Sequence, residues 1–304
     1  MRTTRLPTLG LACFIAVSQA CTGWTESQLP MIDGTMEFDG VAHPVAISDS
    51  GTIAGYGCAF ELPYYTDCYH GIEWDHGVMT DLRGFDGYEA WAFAINDHEQ
   101  IAGVSHPDGP GTPEGILWCH GVDIHLGALV FPTDINNGAQ VVGTSWETVG
   151  PARSILWDNG DTTLLWTGTV TAINDSGRAV GNSPAGAVMW RNGTVVVLGA
   201  FTARDIDFSG KVLGRRFSDN HTILWENGVI TDIGLGPEYD MVRMNDHGLI
   251  VGKRLDRAIA WETGTVYDLG AGYAEGVNNV RQIVGYGPWP VGPWTEGPLI
   301  WNPW

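Results

Sequence analysis

Residues 172–183 read AINDSGRAVGNS, and six other stretches of the chain follow the same pattern. In each copy an apolar residue precedes a polar pair and a turn. An apolar run that ends in glycine follows, and two further residues complete the copy. The seven copies lie at 46–57, 94–105, 134–145, 172–183, 205–216, 243–254 and 276–287. Self-similarity at this spacing is the signature of a repeat architecture, so the repeat unit is what has to be interpreted.

A tryptophan marks the second half of every repeat. It lies in short apolar segments such as SILWDNG at 154–160 and TILWENG at 222–228. The seven equivalent residues are Trp74, Trp118, Trp157, Trp190, Trp225, Trp261 and Trp301. A short segment typical of a strand, ending near Leu-Gly, follows each of them except the last.

Each repeat is interpreted as four short β-strands. The Asn-Asp-x-Gly segment and the polar pair plus glycine after the tryptophan favour tight turns, because Asn and Gly tolerate left-handed backbone. The middle strands are apolar at consecutive positions, as in Ile155-Leu156-Trp157, which indicates burial on both faces. A ring of stacked sheets provides that burial. The sequence therefore predicts an all-β fold, a seven-bladed β-propeller of four-stranded blades; a β-helix or open solenoid is the alternative.

The seventh repeat lacks its fourth strand, because the sequence ends at Trp304 just after the tryptophan segment. Residues 31–38 precede the first repeat, and we predict that this N-terminal strand completes the last blade and closes the ring, which removes a bare sheet edge. Residues 21–30 are then a short linker, and residues 31–304 form a single propeller domain.

Residues 1–20 have the features of a secretory signal peptide. A short basic start precedes an apolar stretch at 9–17, and small residues suited to cleavage follow at 18–20. We expect an exported protein that is periplasmic, cell-surface or secreted. Cys21 stands where a bacterial lipoprotein is acylated, although the residues before it depart from the usual lipobox. Lipidation of Cys21, with membrane anchoring through it, and simple cleavage both remain open.

Charge and motif content restrict the partners. The chain has 15 Lys and Arg against 35 Asp and Glu, a net charge of −20 that repels phosphate backbones and anionic membranes. Nucleic acid is therefore not expected as a partner. The Asn-Asp-x-Gly turns lack the alternating oxygen ligands of a calcium loop, and no cysteine or histidine cluster has zinc spacing. We predict no metal site, no cofactor and a monomer.

Cysteine spacing suggests one crosslink. Cys58 and Cys68 lie ten residues apart in one predicted loop, where a disulfide forms readily in an oxidising compartment. Cys119 is then left as an unpaired, buried thiol.

The repeats resemble the HAF family of probable extracellular repeats, named for a His-Ala-Phe triplet ahead of the tryptophan position. The triplet occurs here as His221-Thr222-Ile223 and His70-Gly71-Ile72, and as Arg-Ala-Ile at 257–259. Smaller aliphatic residues replace the phenylalanine, so the match is to the wider pattern, over nearly all of the mature chain. The resemblance implies an exported, propeller-like repeat protein and supplies no catalytic residues.

Four loops between the second and third strands are long and differ from one another. They lie at 285–298, 56–68, 104–114 and 144–153, in repeats that neighbour each other around a ring. Variable loops on a rigid scaffold are a usual place for binding, and exposed aromatic rings suit sugars, peptides and cationic groups. We predict a non-catalytic binding or interaction module for a carbohydrate, peptide or cationic small molecule. The predicted ligand-binding residues are Tyr56, Phe60, Tyr64, Tyr65, Trp91, Trp146, Tyr239, Trp289 and Trp294.

A hydrolase or lyase acting at the channel mouth is the alternative function. Its titratable candidates, all near blade junctions, are His43, Glu89, Arg204, Glu238, Asp240, Arg243 and Glu275. None falls into a recognisable catalytic spacing, and a fold by itself specifies no chemistry. Two titratable groups within hydrogen-bond reach at the mouth would favour an enzyme, whereas an aromatic surface would favour binding. A structural surface protein, the third alternative, predicts no pocket on either face.

Overall fold

The fold is a seven-bladed β-propeller, as the repeats predict. The computed structural model describes residues 24–29, 37–60, 68–85, 89–106, 111–128, 130–145, 150–288 and 296–303. Their 28 strands form seven four-stranded antiparallel sheets. Within these ranges, no helix has the length and apolar character needed to cross a membrane.

The blades follow the repeats in chain order. Blade 1 contains β2 (Glu37–Ile47), β3 (Ile53–Phe60), β4 (Cys68–Asp75) and β5 (Val78–Leu82). Blade 2 contains β6 (Glu89–Ile95), β7 (Ile101–His106), β8 (Glu114–Cys119) and β9 (Val122–Ala128). Blade 3 contains β10 (Val130–Ile135), β11 (Val141–Ser145), β12 (Arg153–Asp158) and β13 (Asp161–Thr167). Blade 4 contains β14 (Thr169–Ile173), β15 (Ala179–Ser183), β16 (Gly186–Arg191) and β17 (Thr194–Gly199).

The remaining three blades complete the ring. Blade 5 contains β18 (Phe201–Ile206), β19 (Val212–Arg216), β20 (Thr222–Glu226) and β21 (Val229–Asp232). Blade 6 contains β22 (Tyr239–Met244), β23 (Ile250–Arg254), β24 (Arg257–Glu262) and β25 (Thr265–Ala271). Blade 7 contains β26 (Tyr273–Val277), β27 (Ile283–Pro288), β28 (Glu296–Pro303) and, from the other end of the chain, β1 (Trp24–Gln28).

The hydrophobic core lies between adjacent blades. Ile155 and Trp157 pack with blade 2, whereas Leu156, the residue between them, packs with blade 4. Successive side chains of a strand point to opposite faces of its sheet, so a run of three apolar residues fills two inter-blade layers. The predicted burial of both sheet faces is confirmed.

Ring closure by an N-terminal strand is confirmed, but the predicted segment is wrong. The closing strand is β1, which pairs antiparallel with β28 from Trp24 opposite Pro303 to Gln28 opposite Leu299. It lies in the stretch assigned above to a linker. Of residues 31–38, the last two belong to the first strand of blade 1 and the others lie outside the described residues. Trp24 explains the choice of segment, because its side chain is buried between blades 6 and 7.

A β-bulge recurs at one position in the first strand of every blade. The pairing register between the first and second strands shifts around one residue, three positions before the polar residue that begins the first turn. We call these seven the bulge residues: Val45, Phe93, Thr133, Thr171, Arg204, Val242 and Glu275. A bulge bends its strand and redirects a side chain.

The recurring glycine of the Ile-Val-Gly run lies opposite each bulge. In blade 4, Gly181 pairs with Val170, and a Cβ atom built on Gly181 would overlap the carbonyl oxygen of Thr169. The equivalent glycine meets the equivalent backbone oxygen in the other six blades; these glycines are Gly55, Gly103, Gly143, Gly214, Gly252 and Gly285. The bulge therefore explains why every second strand carries a glycine at this position.

The Asn-Asp turns join neighbouring blades as well as closing hairpins. Asn96 accepts bonds from two amides of its own turn through Oδ1, at 3.0 Å each, and donates from Nδ2 to the carbonyl oxygen of Asn136 in the next blade at 3.0 Å. The same inter-blade bond is made by Asn136, Asn174, Asn245 and Asn278. The turn prediction is confirmed, and the sequence did not reveal the inter-blade role.

A candidate ligand site in the central channel

The bulge residues line a cavity on the propeller axis. Its volume is about 460 Å³, and all seven bulge residues, one from each blade, border it. We call the end of the ring that carries the Asn-Asp turns the turn face, and the end that carries the loops between second and third strands the loop face. Pro132 and Phe131 extend the cavity wall toward the loop face. This volume lies within the range of about 300–1,000 Å³ typical of ligand pockets.

One side of the cavity is apolar and leads into a series of aromatic contacts. Phe93 makes an edge contact with Tyr56, whose ring stacks on His43 at 5.3 Å between centroids. His43 contacts Tyr286 at 4.6 Å, and Tyr286 stacks on Tyr273 at 4.9 Å. These five residues form an aromatic arc across blades 2, 1 and 7, in the same sector as three of the four long loops.

The opposite side of the cavity is charged. Arg204, Arg243 and Glu275 line it from three consecutive blades, 5, 6 and 7. Arg204 Nη2 donates to Asp240 Oδ1 at 3.1 Å, and Arg215 Nη1 lies 3.6 Å from the same oxygen. Burial raises the pKa of the Glu275 carboxyl, while the positive charges of Arg243 and Lys253 act to lower that pKa and Asp240 raises it. The cavity therefore combines apolar and ionic contacts, which suits an amphipathic ligand.

Two carboxylates support the channel wall deeper in the ring. Asp134 accepts hydrogen bonds from the amides of Ile135 and Ile173 at 2.9 and 2.8 Å, and so joins blades 3 and 4. Asp205 makes the same pair of bonds between blades 5 and 6. Burial raises the pKa of Asp134 to about 7, with Asp205 adding to the rise and Arg243 opposing it.

The raised pKa of Asp134 predicts a dependence of stability on pH. The folded chain holds this proton more tightly than the unfolded chain, so the contribution of Asp134 to stability is fully present below the ordinary carboxyl pKa. That contribution is lost as the pH rises through about 7. In Asp134→Asn this titration is absent. Between pH 5 and pH 8, the unfolding midpoint of Asp134→Asn should therefore rise relative to that of the wild type as the pH rises. A difference in midpoint that stays constant with pH would contradict the raised pKa of Asp134.

The structure places part of the predicted ligand-binding set near the cavity. Tyr56 belongs to the aromatic arc, and Trp91 stacks on Tyr69 at 5.3 Å between centroids. Tyr239 lies apart in blade 6, where the Arg254 guanidinium covers its ring. The side chain of Phe60 and the residues Tyr64, Tyr65, Trp146, Trp289 and Trp294 lie outside the described part of the chain.

The titratable candidates of the enzyme alternative divide in the same way. Arg204, Arg243 and Glu275 line the cavity, and Asp240 pairs with Arg204. Three others do not border it: His43 lies in the aromatic arc, Glu89 accepts a bond from the Tyr69 amide at 3.4 Å, and Glu238 is exposed. Three of the lining residues could therefore be predicted from the sequence. Phe93 and the threonines could not, because a bulge has no residue signature of its own.

The cysteine predictions have mixed outcomes. Cys119 is free, as predicted, but it is half-buried and not buried, because it lies near the end of β8 beside the turn that carries His120. Cys58 is in β3 and Cys68 in β4, and the side chains of both lie outside the described residues, so the disulfide stays a prediction. Cys21 also lies outside them. Within the described ranges, no group of three His, Cys, Asp or Glu residues is placed to hold a metal ion.

A second cavity lies at the turn face. Its volume is about 180 Å³, and its wall consists of the Asn-Asp turns and the last apolar residue of each first strand. Hydrogen bonds across blades occupy its polar groups: Asn137 Nδ2 donates to Asp97 and Asp175, and Asn279 Nδ2 to Asp49 and Asp246. This end of the channel has a structural role.

Comparisons with known proteins concern the fold. No family model and no curated protein matches the chain, so the HAF resemblance stays a prediction. An acylaminoacyl peptidase from Pyrococcus horikoshii has a TM-score of 0.58 and 11% identity, over 85% of this chain and 52% of that chain. An acylaminoacyl peptidase in complex with Z-Gly-Gly-Phe-chloromethyl ketone has a TM-score of 0.60 and 11% identity, over 87% and 51%.

A third solved structure matches along nearly its whole length. YCF48 bound to D1 peptide has a TM-score of 0.54 and 11% identity, over 95% of this chain and 97% of that chain. By contrast, this chain spans about half the length of each peptidase structure. At 11% identity, these three likenesses show a shared fold and do not indicate a shared function.

Proposed function

We propose that this protein is a non-catalytic binding propeller, acting outside the cytoplasm, whose ligand occupies the channel cavity and contacts the loop face. The observation that carries the proposal is the cavity of about 460 Å³ bordered by all seven bulge residues. If the bulge residues served packing alone, they would not need to differ in chemistry from blade to blade. They vary from Val and Phe to Thr, Arg and Glu, as the walls of a specific pocket do.

The aromatic arc indicates the classes of ligand. Aromatic faces bind sugar rings and apolar peptide side chains, and they attract cations. Tyr56 is half-buried, and burial raises the pKa of its phenol, with the charge of Glu275 contributing. The aromatic arc thus lies within the electrostatic range of Glu275. Carbohydrates, peptides and cationic small molecules are the ligands to test.

The proposal predicts that binding depends on the loop-face aromatics and not on aromatics elsewhere. Wild type and a Tyr56→Ala/Trp91→Ala variant should be compared on arrays of glycans and peptides and by calorimetry. Removing aromatic stacking should weaken any captured ligand by about tenfold, the equivalent of about 1.4 kcal/mol. Phe208→Ala is the matched control, because Phe208 is an exposed aromatic residue that lines the turn-face cavity. Equal binding by all three proteins would overturn the proposal.

An enzyme acting at the channel mouth is the second candidate, favoured by Glu275. A half-buried carboxyl with a raised pKa that lines a cavity has the property of a general acid or base. The titratable groups within hydrogen-bond reach there, Arg204 and Asp240, form an ion pair, which positions charge and transfers no proton. Turnover of glycoside, ester or peptide substrates that is lost in Glu275→Gln would favour the enzyme.

A further inference from the structure

We propose that the channel cavity binds an α-amino acid with an apolar side chain, as the zwitterion. The carboxylate lies toward Arg204 and Arg243, the ammonium toward Glu275, and the side chain toward Phe93 and Phe131. This inference rests on the proposed function and names its ligand class. Three charged groups with unused hydrogen-bonding capacity, facing an apolar wall, carry it.

Arg204 has a donor that is buried without a partner. One nitrogen of its guanidinium donates to Asp240, but its Nε has no hydrogen-bond partner among the described residues. Burying an N–H group without a partner is costly, and such groups in native structures usually meet an acceptor. The Nε atom itself has almost no exposed surface, but the Arg204 side chain is 35% exposed and lines the cavity, so its remaining Nη donors can meet a ligand carboxylate.

Arg243 is the second cation. Its hydrogen bond within the described chain is from Nη1 to its own backbone neighbour, the Val242 carbonyl oxygen, at the long distance of 3.5 Å. No carboxylate oxygen of the described residues lies within 4.0 Å of it, although it affects the pKa values of Asp134, Asp205 and Glu275. A guanidinium offers several N–H donors, and two arginines on adjacent blades provide a fork for one carboxylate.

Glu275 supplies the complementary charge. It makes no hydrogen bond or ion pair with another described residue, and it lines the cavity from the blade beside Arg243. The ammonium of Lys253, whose charge acts on Glu275, is held over the Tyr273 ring at 4.4 Å. A ligand ammonium would give the Glu275 carboxylate the direct partner that it lacks.

Simple ions fit this cavity less well than a zwitterion. A plain anion that pairs with the arginines also meets Glu275, whereas a plain cation that pairs with Glu275 also meets Arg204 and Arg243. A like charge on the wall of the same cavity opposes binding of either ion. A molecule with adjacent carboxylate and ammonium groups satisfies both sides. Blades 1 to 4 line the remaining space with Val45, Phe93, Phe131, Pro132 and Val170, and with Thr133 and Thr171, whose hydroxyls donate to backbone carbonyl oxygens. This wall suits an apolar side chain.

Ligand analogues test the inference on the unaltered full chain. Calorimetry should detect binding of phenylalanine and leucine, and at least about tenfold weaker binding of N-acetylphenylalanine, phenylalaninamide, aspartate and lysine. A charged partner left without its bond accounts for a loss of this size. N-acetylphenylalanine also represents a peptide C-terminus, and phenylalaninamide a peptide N-terminus. Preference for either blocked compound over free phenylalanine would overturn the amino-acid assignment.

Variants then assign each end of the ligand. Glu275→Gln should weaken phenylalanine binding about tenfold or more and leave binding of N-acetylphenylalanine unchanged, whereas Arg243→Gln should weaken both. Arg191→Gln, an exposed arginine at the end of β16, should change neither. The analogue series decides the question even where a variant does not fold. If another ligand class binds at the loop face and no amino acid does, this inference fails alone; if nothing binds, the proposed function fails with it.

Discussion

Replacing Trp24 with alanine is expected to lower the midpoint of thermal unfolding on the order of 10 °C. Trp24 is 4% exposed, its Nε1 donates to the Arg281 carbonyl oxygen at 3.1 Å, and its ring meets Tyr267 edge-on at 5.0 Å between centroids. Truncating a buried tryptophan costs about 3–5 kcal/mol, and in a domain of this size each kcal/mol shifts the midpoint by about 2–4 °C. Differential scanning calorimetry provides the measurement.

The effect should exceed local loss of packing, because β1 covers the outer edge of blade 7. Without it, β28 presents unpaired backbone groups that invite pairing with another chain. We therefore expect Trp24→Ala to increase association on heating, which light scattering reports. Gln28→Ala is the control on the same strand, since Gln28 is exposed. Equal unfolding midpoints for Trp24→Ala and Gln28→Ala would show that β1 does not hold the ring closed.

Closure could be predicted from the sequence, whereas the closing segment could not, and the reason lies in the outer strands. The fourth strand of a blade is held by backbone pairing and faces solvent; in β21 all four residues are exposed. Such a strand carries little hydrophobic pattern, so nothing in residues 24–28 marks them except the tryptophan. Residues 31–38 were predicted as the closing strand because they lie next to the first repeat. Residues 24–28 form it instead, because Trp24 is buried between blades 6 and 7.

The candidate site could also be predicted only in part from the sequence. The sector with long loops was predicted, and the aromatic arc lies in it, since Tyr56, Phe93 and Tyr286 belong to blades 1, 2 and 7. The cavity wall was not predicted, because the bulge position holds Val, Phe, Thr, Arg or Glu and so has no characteristic residue type. Its signal is indirect: the bulge residue stands three positions before the polar residue that begins the turn, opposite a glycine that recurs for steric reasons.

The close approach between the first and second strands at the bulge predicts the second large effect. Gly181→Ala should lower the unfolding midpoint by roughly 10 °C. The new Cβ would overlap the Thr169 carbonyl oxygen and lie 2.7 Å from Val170 Cα and 2.9 Å from an atom of the Trp166 ring. Backbone atoms cannot move aside as a flexible side chain can, so the first and second strands of blade 4 must separate. Overpacking of this kind costs about 1–3 kcal/mol or more, and each kcal/mol corresponds to about 2–4 °C.

Gly193→Ala in the same blade separates the steric effect from backbone preference. Gly193 lies in the turn after the tryptophan strand with φ at +81°, and no atom lies within 4 Å of the position that a Cβ would occupy there. Its substitution therefore costs only the left-handed strain of about 1–2 kcal/mol. Gly181 has no such φ, and its cost is contact alone. Because Thr171 is the bulge residue beside it, Gly181→Ala should also disturb the channel wall, whereas Gly193→Ala should leave ligand binding unchanged. If Gly181→Ala unfolded at the temperature of Gly193→Ala and also left ligand binding unchanged, the close approach at the bulge would not be what selects glycine in the second strands.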